Sequence, residues 1–121
     1  MFPFHRLFIR GPDTRYGQPF FVDDQTILLF NGEIYNDQDL ISSICVVRES
    51  QSDTDIIAQG IKQHGIEFLH KIQGMFSVVI FNIPSGNIYY CRDCFGIKPL
   101  YQLFTNDGVL FCSEKHTLKK L

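Results

Sequence analysis

Tryptophan is absent from the sequence, and methionine occurs only twice in 121 residues. The bulk of any core must therefore come from the 12 phenylalanines, the 5 tyrosines and the aliphatic side chains. Long apolar runs are missing as well. No window approaches the roughly 20 consecutive apolar residues that a membrane-spanning helix needs. The opening Met1-Phe2-Pro3-Phe4-His5-Arg6 holds no apolar stretch long enough for a secretory leader. Excess charge of either sign is lacking too: 11 Lys and Arg against 13 Asp and Glu leave a net charge of −2, with a pI near 6.0. That balance gives no electrostatic reason to expect nucleic acid or a membrane as partner. The one basic cluster, between Lys115 and Lys120, is too short to change it. No low-complexity segment, linker or internal repeat divides the chain. Four cysteines without a leader indicate reduced thiols, so the expectation is one soluble, cytoplasmic domain.

What is present is a series of strand and turn signals, with helical periodicity confined to the middle. Residues 1–18 are the least regular part, with turn sequences at Gly11-Pro12-Asp13-Thr14 and Tyr16-Gly17-Gln18-Pro19. Residues 20–22 and 27–30 read as strands around Asp23-Asp24-Gln25. A short helix is expected over 36–43. Ser52-Asp53-Thr54-Asp55 has the form of a helix start, with Ser52 as cap and two carboxylates near the positive end of the dipole. Ile56, Ile57, Gly60 and Ile61 follow at helical spacing, and Gly65 closes the segment. A second short helix covers 67–71. Residues 76–82 and 88–92 form a hairpin around Pro84-Ser85-Gly86, and the nearly all-apolar run Phe76-Ser77-Val78-Val79-Ile80-Phe81 predicts a strand covered on both faces. Strands at 100–104 and 109–112 flank Asn106-Asp107-Gly108. The pattern is antiparallel sheet with helices grouped in the middle, α+β.

The stretch that points most directly to chemistry is Phe30-Asn31-Gly32-Glu33-Ile34-Tyr35-Asn36. Alone, Asn-Gly is a strong turn signal. At the edge of a sheet the same residues offer an amide, a backbone N–H that no Cβ shields and a carboxylate. Those three suit a site that holds a developing oxyanion beside a substrate amine. Asp53 on its own reads as an ordinary first-turn, helix-capping carboxylate. Cys91-Arg92-Asp93-Cys94 has the spacing of a zinc or redox pair, but one such pair supplies two ligands of four. Cys112 and His116 are not placed by spacing to complete it, so no metal is assigned. His64 and His70, near helix ends and without an evident partner carboxylate, read as surface or cap residues.

Five stretches in order resemble the class II glutamine amidotransferase domain of asparagine synthetases. They are His5-Arg6-Leu7-Phe8-Ile9 closing with Gln18-Pro19, Asn31-Gly32-Glu33-Ile34-Tyr35-Asn36, Ser52-Asp53-Thr54-Asp55, Gly74-Met75-Phe76-Ser77, and the segment from Arg92-Asp93-Cys94-Phe95-Gly96 through Ile97-Lys98-Pro99-Leu100-Tyr101. Ser113-Glu114 agrees as well. Asp55 stands where the family has Glu, and Cys94 where it has Arg. The resemblance implies a partial N-terminal-nucleophile hydrolase fold, an αββα sandwich of antiparallel sheets, over residues 1–121. It assigns the α-carboxylate of glutamine to Arg6, the oxyanion hole to the Asn31 side chain and the Gly32 N–H, and the α-ammonium to Glu33 and Asp53. The segment from Arg92 to Tyr101 is expected to be structural, with Gly96 and Pro99 constraining the backbone and Arg92 paired with Asp93.

That family's nucleophile is a cysteine exposed as the first residue, its own α-amine serving as base. This chain begins Met1-Phe2, and none of Cys45, Cys91, Cys94 or Cys112 is terminal. The expectation is a domain truncated before His5, lacking its first strand and helix, and inactive towards glutamine as written. No cofactor is expected in it; ATP and magnesium would belong to a synthetase domain that is absent. The alternative is a non-catalytic module that binds glutamine or pairs with another subunit. Either way, a partner chain or a further domain is expected to cover an exposed sheet edge and apolar surface.

Overall fold

Two runs of β-prone residues on either side of Asp23-Asp24-Gln25 pair as a hairpin. In the computed structural model of the chain, which describes residues 17–44 and 52–119, strand β1 is Phe20–Asp23 and strand β2 is Thr26–Ile34. They run antiparallel with Phe20 opposite Leu28. Strand β2 extends four residues beyond the apolar run 27–30, so Asn31-Gly32 lies inside a strand. This lengthens the strand expected at 27–30 and sets aside the turn signal that Asn-Gly gives in isolation. The reason is the partner: β3, Gly74–Asn82, stays in register with β2 from Thr26 opposite Asn82 to Ile34 opposite Gly74. Two glycines allow the close approach at the far end. A Cβ on Gly32 would lie 2.1 Å from the Met75 carbonyl oxygen, and one on Gly74 2.1 Å from that of Glu33.

Strand β4, Ile88–Arg92, pairs with β3 and completes an antiparallel sheet ordered β1-β2-β3-β4. Helix α1 spans Asp37–Ser43 and helix α2 Asp53–His64, followed by a 3₁₀ segment at Ile66–Lys71. Ser52 caps α2 as expected, its Oγ accepting the Asp55 N–H at 3.2 Å. Gly65, at φ +73°, closes the helix with its N–H on the Ile61 carbonyl.

The period of two along the strands sends alternate side chains to one face. Leu28, Phe30 and Ile34 of β2, with Phe76, Val78 and Ile80 of β3, meet Leu40 of α1, Ile56, Ile57 and Ile61 of α2, and Phe68 of the 3₁₀ segment. The Phe68 ring is fully buried because Gly60 leaves it room; a Cβ there would lie 2.0 Å from the ring. On the opposite face Ile27 is 9% exposed and Val79 8%, so the central apolar strand is covered on both faces as predicted.

Strands β5, Tyr101–Thr105, and β6, Gly108–Cys112, form a separate two-stranded sheet. It meets the first through Phe111, whose ring centroid lies 5.2 Å from that of Tyr90 on β4. Tyr90 pairs with Val79 and so belongs to the face away from the helices. A short helix that the sequence reading did not include, α3 at Lys115–Leu118, follows β6. Antiparallel sheets with clustered helices make the chain α+β. Among the described residues no helix is long and apolar enough to cross a membrane.

Candidate functional site

The far end of β2 gathers four of the five residues singled out by the sequence. The fifth, Arg6, lies outside the described residues. Alternation places Asn31 and Glu33 on the face away from the helices, opposite Ser77 and Met75 of β3. The Asn31 Nδ2 donates to Ser113 Oγ at 3.3 Å, which ties β2 to the residue just after β6. The Glu33 side chain is half-buried, and among the described residues it has no hydrogen-bond or ion partner. Gly32 sits at φ +150°, where a side chain is strained. Its position therefore requires glycine twice, for backbone angle and for clearance from β3.

The backbone of β2 has a further order. The Phe30 N–H donates to Gln18 Oε1 and its carbonyl accepts from Gln18 Nε2, both at 2.6 Å. Four residues on, the Ile34 N–H donates to Asp53 Oδ2 at 2.9 Å. Both N–H groups therefore point away from β3. In an antiparallel ladder, alternate residues face alternate sides, so the Gly32 N–H between them faces the same edge. Its partner residue in β3 agrees: Phe76 turns its N–H to Asp93 Oδ2 (3.2 Å) and its carbonyl to the Asp93 N–H (2.8 Å), away from Gly32. Among the described residues no acceptor is found for the Gly32 N–H. A backbone donor without a partner, with an amide and a carboxylate one residue to either side, is the local requirement for holding an anionic oxygen.

Asp53 is 7% exposed and lies in the first turn of α2. Its carboxylate joins the helix N-terminus to β2 through Ile34. That brace between helix and strand is a role the sequence did not suggest. Asn36, the last residue of the matched heptad, is also taken up structurally. Its amide donates to the Lys71 carbonyl and accepts the Gln73 N–H, each at 2.9 Å.

The segment after β4 is held by Asp93, though not as an ion pair with Arg92. The Asp93 carboxylate instead accepts the N–H groups of Ile97 (2.9 Å), Lys98 (3.1 Å) and Phe76. Burial alone would push this carboxyl up, but the backbone donors of Ile97, Lys98, Phe76 and Phe95 outweigh it and hold it below the usual carboxylate value of 3.8. The Arg92 guanidinium lies against Gly96, which sits at φ +64°; a Cβ there would be 3.1 Å from Cζ of Arg92. Gly96 is thus the expected backbone constraint, and Phe95 beside it is 86% exposed.

The histidines need one correction. His70 does have a carboxylate neighbour, Glu67, at 3.4 Å one turn earlier, with both side chains exposed. His64 places Nε2 3.0 Å from the Ser43 carbonyl and stacks on Phe68 with centroids 5.9 Å apart. Burial pushes the Cys91 thiol up, and no three His, Cys, Asp or Glu side chains among the described residues converge as a metal site would need. Sequence reasoning missed the roles of Gln18 and Ser113. Both stood in matched motifs, Gln18-Pro19 and Ser113-Glu114, and only the tertiary fold shows what they touch.

Residues 5–120 match the family model described as a glutamine amidotransferase domain. Asparagine synthetase [glutamine-hydrolyzing] 1 of Bacillus subtilis (strain 168) is 37% identical over 121 residues, covering 97% of this chain and 19% of that protein. The Zea mays asparagine synthetase is 36% identical over 116 residues, with 93% and 20% covered. The chain spans about a fifth of the length of these curated relatives. Among solved structures, glutamine phosphoribosylpyrophosphate amidotransferase from B. subtilis, complexed with ADP and GMP, superposes with a TM-score of 0.67 at 20% identity. The match covers 80% of this chain and 24% of that one. At that identity the likeness is one of fold.

Proposed function

The chain belongs to the glutamine amidotransferase domain family, and from that premise we propose that the end of β2 is a glutamine site of the asparagine synthetase type. In this reading the Asn31 amide and the Gly32 N–H hold the oxygen of the glutamine side-chain carbonyl as it becomes an oxyanion. Glu33 and Asp53 face the α-ammonium, and Arg6 takes the α-carboxylate, a task that suits a planar and permanently charged fork. The domain's part in the larger reaction is to handle glutamine as the source of ammonia for asparagine synthesis. What the residues named here supply is substrate binding and oxyanion stabilisation. A partner chain or further domain would cover the exposed Phe95 and Phe104.

The observation that carries the reading is the outward-facing Gly32 N–H between the Asn31 amide and the Glu33 carboxylate. Calorimetric titration of the chain with L-glutamine tests it. Binding is expected, and Glu33→Gln should weaken it by about tenfold, the equivalent of one charge-assisted hydrogen bond to the ammonium. No heat with L-glutamine, or an affinity that Glu33→Gln leaves unchanged, overturns the reading.

A further inference from the structure

We propose that Gln18 is a positioning residue for the oxyanion donor: its side chain ends the β1–β2 ladder one residue early and so keeps the Gly32 N–H open. This rests on the glutamine-site reading above and extends it to a residue that reading does not use. Along the outer edge of β2, Leu28 pairs with the backbone of Phe20, and Phe30 pairs with the side-chain amide of Gln18 at 2.6 Å in both directions. Ile34 then pairs with the carboxylate of Asp53.

A backbone strand laid along that edge would continue pairing and take the next inward-facing position as well, because each residue of a strand carries both a donor and an acceptor. A side-chain amide carries one donor group and one carbonyl. It satisfies the single residue it meets and then stops. Gln18 thus does at Phe30 what a strand would do, without the continuation that would consume the Gly32 donor. Asp53 closes the gap from the other side. The two side chains bracket one N–H that is open among the described residues, between two satisfied ones, and they also fix the path of the strand through the glycine. Preorganisation of this kind is what an oxyanion donor requires.

The test uses Gln18→Glu in the ¹⁵N-labelled chain, with the Gly32 amide signal followed during titration with L-glutamine. An ionised carboxylate still accepts the Phe30 N–H but cannot donate to the Phe30 carbonyl, and it repels that oxygen. A protonated carboxyl offers one O–H and one carbonyl oxygen, the same pair as the amide. The variant should therefore bind about tenfold more weakly at neutral pH and show a smaller Gly32 shift. Both should recover as the pH falls towards the carboxyl range of roughly 4–5. The wild type, measured at each pH, corrects for the neighbouring carboxylates of Glu33 and Asp53.

A variant that behaves like the wild type at every pH overturns the proposal. Hydrogen exchange on the unsubstituted chain decides independently, should the variant not fold. The Phe30 and Ile34 amides should be protected and the Gly32 amide between them fast, and a protected Gly32 amide overturns the bracket. A wild-type Gly32 signal that ignores glutamine refutes the glutamine site instead, and the exchange pattern still settles the role of Gln18.

Discussion

Asp53→Ala removes the acceptor of a buried N–H and leaves the rest of the helix start in place. The Ile34 N–H at 2.9 Å from Asp53 Oδ2 would then be without a partner in a site that is almost closed to water. An unsatisfied buried donor costs about 1–3 kcal/mol. Loss of a carboxylate from the first turn of α2 removes about 0.3–1 kcal/mol more. The sum is a destabilisation of roughly 1.3–4 kcal/mol, a substantial fraction of a small domain's stability. Asp53→Asn keeps one acceptor oxygen while losing the charge and exchanging the other oxygen for an NH2 donor, so its cost should be smaller, about 0.5–1.5 kcal/mol. The assay is urea unfolding of the ligand-free chain followed by far-ultraviolet circular dichroism, with the denaturant slope checked for constancy. The order expected is wild type, then Asn, then Ala. If Asp53 acted only on a bound ammonium group, both variants would unfold at the wild-type midpoint without ligand, and that result would refute the bracing argument.

Two further expectations follow from the packing. Gly60→Ala should destabilise the chain by about 1–2 kcal/mol in thermal unfolding, although helix propensity alone favours alanine by roughly 1 kcal/mol. The added Cβ would lie 2.0–2.3 Å from three atoms of the buried Phe68 ring, and overpacking of this kind outweighs the propensity gain; a raised Tm would contradict it. Asp93 should make acid sensitivity local. Its folded pKa lies below the ordinary 3.8, so its contribution is present above the unfolded value and is lost as the pH falls through the folded one. Asp93→Asn should accordingly flatten the fall of Tm below about pH 4, and an acid limb as steep as that of the wild type would rule the assignment out.

The elements that were legible in the sequence are those whose causes are local. Ser52 and Gly65 mark the two ends of α2 because an N-cap needs a short side-chain acceptor and a left-handed reversal favours glycine, and both requirements act within a few residues. The hairpins around residues 24, 85 and 107 were equally plain, since strand propensity changes to turn propensity at each. The Asn31-Gly32 pair shows where local reasoning stops. Alone the pair is a turn signal, and by its neighbours it stands at the end of a strand; in the fold it lies inside β2, because β3 supplies nine residues of ladder and a second glycine opposite its end. The Arg92–Asp93 pairing failed for a related reason. Adjacent opposite charges suggest an ion pair, but the buried carboxylate found backbone donors from Phe76, Ile97 and Lys98.

The candidate site sharpens this distinction. Its motif residues are consecutive and could be picked out by resemblance, but the contacts that place them span 12 residues from Gln18 to Phe30, 19 from Ile34 to Asp53 and 82 from Asn31 to Ser113. None of these partners is the only residue type its own position would tolerate by local rules. Gln18 precedes a proline in a turn sequence, Ser113 follows a strand, and Asp53 would be an ordinary first-turn acid in any helix. Their shared property is geometric: each satisfies or orients a polar group on β2 while leaving Gly32 unpaired among the described residues. A strand end becomes a site when its neighbouring polar groups are satisfied from the side, and that selection is made by residues far along the chain. Substitutions at Gln18 or Ser113 should therefore alter the ligand response of β2 even where every residue of the motif is kept.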